Sequence, residues 1–472
     1  MARVLLGLLL LSTILSGCGA AAPATPEAFA ATRQGLTPTV TVIPTATSFP
    51  TSTPIPTAVP HILYVDPSTS LGPISPLIYG SNYGPWLVVS FDMLPEAYDS
   101  GIKILRFPAG AWGDHNNVTS LQIDQFMDFA GKVGATALFS VRLLGGTPDQ
   151  AAEIVRYTNI VKKYNVQYWN IGNEPTLYDA ELQAQGQTYD VSRFNQEWRA
   201  FAEAMKKVDP TIKLVGPEIN QFSYDTSPSA TTNFGERDET WMTEFLKANG
   251  DMVDVVSFHR YPFPSSRTSG PPSFDELRRN AQEWDKIFIH ARDLIHQYTG
   301  RDLPIAVTEF NSAYDKSVGK ETTPDSHYNA IWMAAVLGSM IKNKVLIANE
   351  WYLTAKGGSG GLGLISAYDV FPSYYTYQMY KKFGNELIYS SSDDPDLRVY
   401  AARRDDGALT VMVVNLALEE KTKALRIGDR AEVQVEAWLF DPTHKVENLG
   451  TVQLSGEAVF PPQSISLYIV PR

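Results

Sequence analysis

Eight short apolar runs, separated by stretches with helical periodicity, constrain the fold of this chain more than any other feature. The runs are rich in β-branched and aromatic residues and span 77–83, 103–108, 136–143, 166–174, 212–219, 253–261, 303–311 and 345–353. Several are apolar throughout, as is typical of parallel strands that are covered on both faces. Eight such strand–helix units in roughly 300 residues predict a (β/α)8 barrel, whose functional face lies at the carboxyl ends of the strands. The barrel is expected over residues 71–383.

The pattern changes after residue 383, where alternating strands with turn signals replace helical periodicity. Strands are predicted at 397–403, 409–416, 432–440 and 464–470, and Asp405-Asp406-Gly407 is a hairpin signal between two of them. These features predict a C-terminal β-sandwich domain over residues 384–472. The strand-like stretch at 61–70 is expected to pair into the same domain.

The amino-terminal segment is typical of an export signal. Arg3 precedes an apolar run at 4–11, and Leu15-Ser16-Gly17-Cys18 follows. This tetrapeptide resembles the bacterial lipobox, which implies a signal peptide over 1–18 and lipidation of Cys18. Residues 19–60 are dominated by Ala, Thr, Pro and Ser, a composition that predicts a disordered spacer. We therefore expect a lipid-anchored protein on the extracellular face of the membrane, or a secreted one.

Charge and cysteine usage limit the partners. The chain has 39 Lys and Arg against 51 Asp and Glu, a net charge of −12, which opposes binding to nucleic acid. Cys18 is the only cysteine, so disulfides and cysteine metal sites are not expected in the folded body. The seven histidines lack metal-ligand spacing. We expect neither a metal nor an organic cofactor.

Two glutamates close two of the predicted barrel strands. Glu174 follows Trp169-Asn170-Ile171-Gly172-Asn173, and Glu309 lies in Ile305-Ala306-Val307-Thr308-Glu309. Paired carboxyls at a barrel mouth suit glycoside cleavage, in which one donates a proton and the other attacks the anomeric carbon. We predict that Glu174 is the acid/base and Glu309 the nucleophile of a retaining enzyme. The alternative is that each merely caps a helix or pairs with an arginine.

These motifs resemble those of the clan A glycoside hydrolases. The resemblance implies that Asn173 binds the sugar 2-hydroxyl and that Arg106, in Leu105-Arg106-Phe107-Pro108, lies near the nucleophile. It also implies substrate-binding roles for His259, Tyr261 and Trp351, at the ends of the sixth and eighth strands.

Within the clan, the motifs on the first, second and fourth strands are similar to those of α-L-arabinofuranosidases, β-xylosidases, heparanases and family 44 endoglucanases. Many arabinofuranosidases follow the proline of the second strand with two glycines, whereas this chain has Ala109-Gly110 and then Trp112. The departure bears on the substrate and leaves the reaction class unchanged.

Two other functional classes fit parts of the sequence. A non-catalytic surface lipoprotein would use the same aromatic cleft to bind carbohydrate, and a structural adhesion protein would use the spacer as a stalk. Neither requires both glutamates. The pattern Gly358-Ser359-Gly360-Gly361-Leu362-Gly363 matches a dinucleotide-binding fingerprint, but no βαβ unit follows it, so we interpret it as a loop at the barrel mouth.

Overall fold

The computed structural model describes residues 59–224, 235–264, 270–315, 318–355 and 362–472. The predicted signal peptide, Cys18 and nearly all of the spacer lie outside these residues, as does most of the glycine pattern at 358–363. Among the described residues, no helix combines the length and the hydrophobicity needed to cross a membrane.

A first strand, β1 (Ile62–Pro73), precedes a closed barrel of eight parallel strands in the described part of the chain. The barrel strands are β2 (Gly80–Asn82), β3 (Ile104–Phe107), β4 (Thr136–Val141), β5 (Tyr168–Ile171), β6 (Lys213–Ile219), β7 (Val255–Arg260), β8 (Ile305–Phe310) and β9 (Ile347–Glu350). Neighbours pair in chain order, and β9 closes the barrel against β2. The predicted (β/α)8 barrel is confirmed.

Ten α-helices lie in the described residues, most of them between barrel strands. They are α1 (Leu94–Asp99), α2 (Trp112–His115), α3 (Ser120–Val133), α4 (Pro148–Val155), α5 (Tyr178–Gln183), α6 (Val191–Val208), α7 (Gly235–Asn249), α8 (Phe274–Thr299), α9 (His327–Lys342) and α10 (Pro372–Tyr380). Local sequence fixes several ends. Ser273 and Glu276 form a reciprocal capping box at the start of α8, and Gly300, at φ 64°, ends it.

The core of the barrel is layered. One apolar residue from the start of each strand, or just before it, joins a buried cluster that fills the end of the barrel opposite the mouth. Its members are Leu77, Ile104, Leu138, Tyr168, Val215, Val255, Ala306 and Ile347. Polar interior positions are thereby confined to the carboxyl ends of the strands.

The C-terminal strands form a second, mostly antiparallel sheet. They are β10 (Glu386–Ser391), β11 (Leu397–Arg403), β12 (Leu409–Asn415), β13 (Lys421–Ile427), β14 (Glu432–Phe440), β15 (Glu447–Ser455), β16 (Glu457–Phe460) and β17 (Ser464–Val470). The strand order is β15-β14-β17-β12-β11-β10-β1-β13-β16, so β1 lies between β10 and β13. Aliphatic side chains from distant strands share one core, as in a β-sandwich.

Helix α9 joins the barrel to this sheet. Nearly every residue of α9 is buried, including Trp332 and Met333 at adjacent positions. The hydroxyl of Tyr328 donates to the carbonyl of Leu416, and the hydroxyl of Tyr400 donates to the carbonyl of Ala335 on the helix. A helix that is apolar all round is expected where protein covers every side.

Candidate active site

Arg106 and Glu309 form a buried ion pair across the barrel. Arg106 lies on β3 and Glu309 on β8, and their side chains are 0% and 5% exposed. Arg106 Nη1 donates to Glu309 Oε1 at 2.6 Å, and the hydroxyl of Tyr261 donates to Glu309 Oε2 at 2.8 Å. Both carboxylate oxygens therefore accept hydrogen bonds, one of them from a charged guanidinium.

Glu174 lies three residues beyond the end of β5 at Ile171, whereas the sequence predicted that the strand reaches residue 174. Gly172 and Glu174 have φ angles of 80° and 49°, so the chain turns sharply before Pro175. A non-glycine residue in the left-handed region is a strained conformation of the kind found at functional sites. Here the turn projects the carboxyl of Glu174 to the mouth, where its side chain is 21% exposed.

His259, on β7, contacts three carboxyl groups. Its Nδ1 lies 2.9 Å from Glu174 Oε1 and 3.6 Å from Glu309 Oε2, and its Nε2 lies 3.3 Å from Glu218 Oε2. Burial lowers the pKa of His259, but the charge of Glu309 and the hydrogen bonds to Glu174 and Glu218 outweigh this effect and raise the pKa to about 10. The ring is therefore a cation at neutral pH, and both nitrogens donate.

The pKa of Glu174 is raised, chiefly because burial disfavours its charged form, although His259 opposes the shift. The charges of the cluster are consistent with a protonated Glu174. Arg106 and His259 carry two positive charges, and Glu218 and Glu309 carry two negative ones. The cluster is neutral when Glu174 holds a proton, which is the state that a proton donor needs.

The structure brings the other predicted site residues to the same end of the barrel. Asn173 accepts a hydrogen bond from Arg106 Nη2 at 2.8 Å through its side-chain oxygen. Trp351 follows β9 and lines the same cleft as Glu309 and Tyr261. Gly110 faces the indole so closely that a Cβ there would lie 2.5 Å from Trp351. The glycine in Ala109-Gly110 is therefore required by the position of Trp351.

Glu218 is a central residue that the sequence analysis missed. It lies on β6 with a side chain that is 0% exposed, and its Oε2 is 2.8 Å from Arg106 Nη2. Asn170 and Thr308 also donate to its carboxylate, each at 2.9 Å. Burial raises the pKa of Glu218, but Arg106 and His259 lower it by more than burial raises it. The pKa therefore lies below its ordinary value. An acidic residue ending the apolar run 212–219 was the available signal.

Asp114 is a second missed residue, and it ties the Glu174 loop to its neighbours. Its Oδ2 accepts from the backbone N–H of Asn173 at 2.8 Å and from the hydroxyl of Tyr178, while its Oδ1 accepts from the backbone N–H of Leu143 at 3.1 Å. Burial raises the pKa of Asp114 to about 6, and these hydrogen bonds limit the rise. One side chain therefore positions the loops after β3, β4 and β5.

The resulting cleft has a volume of about 410 Å³. Glu174 and Glu309 lie in its wall with Asn173, Tyr261 and Trp351, and residues from four loops complete it: Gly110, Ala111, Leu177, Asn220, Gln221 and Tyr314. A cavity of this size accommodates a sugar unit, with the indole of Trp351 offering an apolar face for a ring.

Comparison with known proteins identifies the family of this chain. The profile of Glycosyl hydrolases family 39 matches residues 151–426, more than half of the chain. The chain belongs to glycosyl hydrolase family 39. The expected resemblance to clan A glycoside hydrolases is confirmed at this level.

Two curated relatives align with this family 39 chain over long stretches. A beta-xylosidase of Geobacillus stearothermophilus is 25% identical over 290 residues, which are 56% of this chain and 50% of that protein. Heparanase of Bos taurus is 24% identical over 362 residues, 71% of this chain and 60% of heparanase. The chain spans about half the length of the curated relatives that it matches.

Solved structures share the fold. An alpha-L-arabinofuranosidase of Thermotoga maritima, solved with arabinose, has a TM-score of 0.68 at 19% identity, over 86% of this chain and 99% of that one. A family 44 xyloglucanase of Paenibacillus polymyxa has a TM-score of 0.63 at 15% identity, over 87% and 99%. At these identities the likeness establishes the fold alone.

The family 39 site has donor atoms of the type that bind metals, but its charges favour protons. One ligand atom each of Glu174, His259 and Glu309 lie within 4.8 Å of one another. A histidine must be neutral to bind a metal, whereas these carboxyl groups hold His259 as a cation. Arg106 already neutralises Glu309. The donor set therefore suits proton transfer better than metal binding.

Proposed function

We propose that this protein is a retaining glycoside hydrolase that cleaves extracellular poly- or oligosaccharides by double displacement. Glu174 acts as the acid/base and Glu309 as the nucleophile. The observation that carries the proposal is their separation, since one oxygen of each carboxyl group lies within 4.8 Å of the other. Retaining enzymes hold their two carboxyls about 5–5.5 Å apart, whereas inverting enzymes leave room for a water molecule.

In the first step, the Glu174 proton passes to the leaving glycosidic oxygen while the Glu309 carboxylate attacks the anomeric carbon. The bond to the leaving group breaks and a glycosyl ester forms on Glu309. In the second step, the ionised Glu174 removes a proton from water, the water oxygen attacks the anomeric carbon, and the Glu309 carboxylate leaves. Two inversions give net retention.

The neighbouring residues supply charge and orientation. Arg106 and Tyr261 bind both oxygens of Glu309, so the nucleophile is held in one orientation before substrate arrives. Asn173, fixed by Arg106, binds the sugar 2-hydroxyl. Trp351 stacks on the apolar face of the sugar ring. His259 donates a hydrogen bond to Glu174. This bond stabilises the negative charge that Glu174 carries between the two steps.

The proposal is tested with a panel of aryl β-glycosides, aryl α-L-arabinofuranosides and soluble plant polysaccharides. Glu174→Ala and Glu309→Ala are compared with Glu244→Ala, a control on the outside of α7. We expect loss of cleavage in the first two and wild-type activity in the control. Azide should restore turnover of Glu309→Ala and yield a glycosyl azide of inverted configuration. Tight glycan binding without turnover by the wild-type protein would instead identify a non-catalytic carbohydrate-binding lipoprotein.

We also propose that Cys18 carries a lipid that anchors the protein to the extracellular face of the membrane. The proposal rests on the lipobox-like Leu15-Ser16-Gly17-Cys18 and the Pro- and Thr-rich segment that follows. Fractionation of cells that produce the wild-type protein or Cys18→Ala tests it. The wild-type protein should sediment with membranes and the variant should not. Equal distribution of the two would contradict lipidation.

A further inference from the structure

A patch of exposed and partly buried aromatic residues borders the cleft. We call it the aromatic rim and define it as Trp86, Phe91, Trp112 and Tyr368. Trp86 and Phe91 follow β2, Trp112 follows β3 and Tyr368 follows β9, so all four belong to loops at the carboxyl ends of barrel strands. Phe91 and Tyr368 are 85% and 88% exposed, the highest values among the large hydrophobic residues of the described chain. Exposed aromatics concentrated at one place mark interaction sites.

The loops that carry the two most exposed rings are joined by a hydrogen bond. Ser90 Oγ donates to the carbonyl of Ala367 at 2.7 Å, so the residues that immediately precede Phe91 and Tyr368 are bonded to each other. Tyr368 lies in a turn closed by Ser366 and Asp369, whose N–H···O bond is 2.8 Å. Phe91 begins a 3-10 helix that ends at Met93. The exposure of both rings is therefore built into the fold of these loops.

Two residues of the rim, Trp86 and Trp112, are continuous with the cleft. The rings of Trp351, in the cleft wall, and Tyr352 lie 4.9 Å apart, and Trp86 packs on the apolar cluster that includes Tyr352. Trp86 in turn stacks on Trp112, with ring centroids 5.9 Å apart and planes 28° from parallel. Ala111, next to Trp112, lines the cleft. A connected series of aromatic rings thus runs from the predicted cleavage point toward the outer loops.

We propose that the aromatic rim binds further sugar units of an extended glycan, so that the preferred substrate is a polysaccharide or a long oligosaccharide. The inference rests on the proposed glycosidase function and specifies its substrate class. Sugar rings present apolar C–H faces that stack on aromatic side chains, and their hydroxyl groups need hydrogen-bond partners beside them.

The residues beside the rim favour a glycan over a membrane. Each of the two exposed rings is followed directly by an exposed carboxylate, Asp92 after Phe91 and Asp369 after Tyr368. Carboxylates accept hydrogen bonds from sugar hydroxyl groups, whereas they are repelled by the anionic lipids that attract basic surfaces. The rim therefore offers aromatic rings for the C–H faces of sugars and carboxylates for their hydroxyl groups, which are the two kinds of contact that an uncharged polysaccharide makes.

The test compares a short and a long substrate in the same variants. Phe91→Ala, Tyr368→Ala and the double variant are compared with Ile289→Ala, a control that removes a 55% exposed side chain from α8. We expect KM for the polysaccharide that the wild-type protein cleaves to rise about fivefold in each single variant and about 20-fold in the double variant. The kcat/KM for the aryl glycoside should stay within about twofold, as should all constants of Ile289→Ala.

Several outcomes would overturn the proposal. Unchanged KM for the polysaccharide, or equal losses on both substrates, would exclude a role in binding distant sugar units. Rim-dependent binding to vesicles of phosphatidylglycerol would make the rim a membrane surface, and a rim-dependent dimer in light scattering would make it a contact between copies of the chain.

A binding measurement distinguishes failure of the aromatic rim proposal from failure of the proposed glycosidase function. Polysaccharide binding is measured with Glu309→Gln, which cannot turn the substrate over, in the presence and absence of the two rim substitutions. Rim-dependent binding by this variant, together with no cleavage by the wild-type protein, would retain the rim as a glycan site and reject the glycosidase. Cleavage by the wild-type protein without rim-dependent binding would retain the enzyme and reject the rim.

Discussion

Two glutamates in the barrel are equally buried, and their pKa values shift in opposite directions. Glu218, on β6, and Glu350, on β9, are both 0% exposed. The pKa of Glu218 is lowered although burial opposes this, because Arg106 and His259 face its carboxylate. The pKa of Glu350 is raised well above its ordinary range by burial, and Ser81 Oγ, 3.0 Å from its Oε2, only partly offsets the rise.

The two sites differ in whether a cation faces the carboxyl group. A carboxyl group without one is neutral at pH 7, since burial in a low dielectric penalises the charge. Arg106 and His259 lie on one side of the barrel, where they face Glu218 and Glu309 and where the pKa of Glu174 is raised. Burial alone therefore does not set the direction in which the pKa of a barrel glutamate shifts in this protein, and the arrangement of cations does.

Removing Arg106 should have the largest effect, because it makes the Glu218 side of the barrel resemble the Glu350 side. Arg106→Met leaves Glu218 and Glu309 without their shared cation, and breaking a buried ion pair costs about 3–5 kcal/mol. We expect a lower free energy of unfolding in urea and a loss of kcat/KM of about 1000-fold or more. Arg106→Lys, which keeps the charge without the planar fork, should be intermediate. Wild-type activity in Arg106→Met would refute the comparison.

Asp114 tests a third case, a buried carboxyl that has several hydrogen-bond donors and no cation. Its Oδ2 accepts from Asn173 N–H and Tyr178, and an amide at this position would turn a donor toward donors. Asp114→Asn should therefore lower the free energy of unfolding by about 1–3 kcal/mol. It should also lower kcat, since the Glu174 loop loses its support. Asp149→Asn, on α4, is the control.

The pH dependence of stability provides a second readout for Asp114. Its pKa is about 6 in the folded protein and roughly 3.9 in an unfolded chain. The folded state thus binds the proton more tightly, so this group's contribution to stability is complete below about pH 4 and is lost as the pH rises through 6. The difference in stability between the wild-type protein and Asp114→Asn should fall over this window. A difference that grows with pH would show that the carboxylate form is preferred.

Replacing Glu218 should change the pH profile more than the fold. Glu218→Gln removes one negative charge beside Arg106 and His259, and their remaining positive charge favours ionisation of Glu174. Because the acid must be protonated, the alkaline limb of kcat/KM should move to lower pH, by about one unit. The other neighbours of these cations are the same in the variant and the wild-type protein. Glu309 faces both cations, and Tyr261 contributes only a neutral hydroxyl. A limb that stays in position or moves to higher pH would contradict the proposed charge balance.

Replacing Glu350 should have the smallest effect. A glutamate that is already neutral is well imitated by glutamine, so Glu350→Gln should change kcat/KM by less than about twofold and stability by less than about 1 kcal/mol. Its pH profile should overlie that of the wild-type protein. A shifted profile would mean that Glu350 is ionised and electrically coupled to Glu174.

The sequence predicted the barrel and the C-terminal sheet because both depend on periodicities of apolar residues. It also predicted roles for Glu174 and Glu309 from their positions after apolar runs, and the motif on the second strand pointed to Arg106. The structure brings the three side chains to one end of the barrel, and their roles stay predictions. Glu218 was missed because an acidic residue at a strand end gives no sign of which side chain it meets. Arg106 contacts Glu218 across the barrel, although the two residues lie far apart in the chain.

The backbone around Glu174 differs from the one that the sequence predicted. A continuous apolar run suggested that the strand reaches residue 174, whereas β5 ends at Ile171. The positive φ angles at Gly172 and Glu174 explain the difference, and only the glycine signals such a turn in a sequence. Asp114 was missed for a related reason. Its partners are backbone N–H groups, which leave no side-chain motif.

Trapping of the glycosyl-enzyme tests the central assignment most directly. The protein is incubated with the 2-deoxy-2-fluoro derivative of the aryl glycoside that it cleaves fastest, digested with pepsin and examined by mass spectrometry. We expect one sugar per chain, bound to the peptide that contains Glu309, and no sugar on that peptide in Arg106→Met. A sugar attached to Glu218 or Glu174, or no covalent adduct at all, would contradict the assignment of Glu309 as the nucleophile.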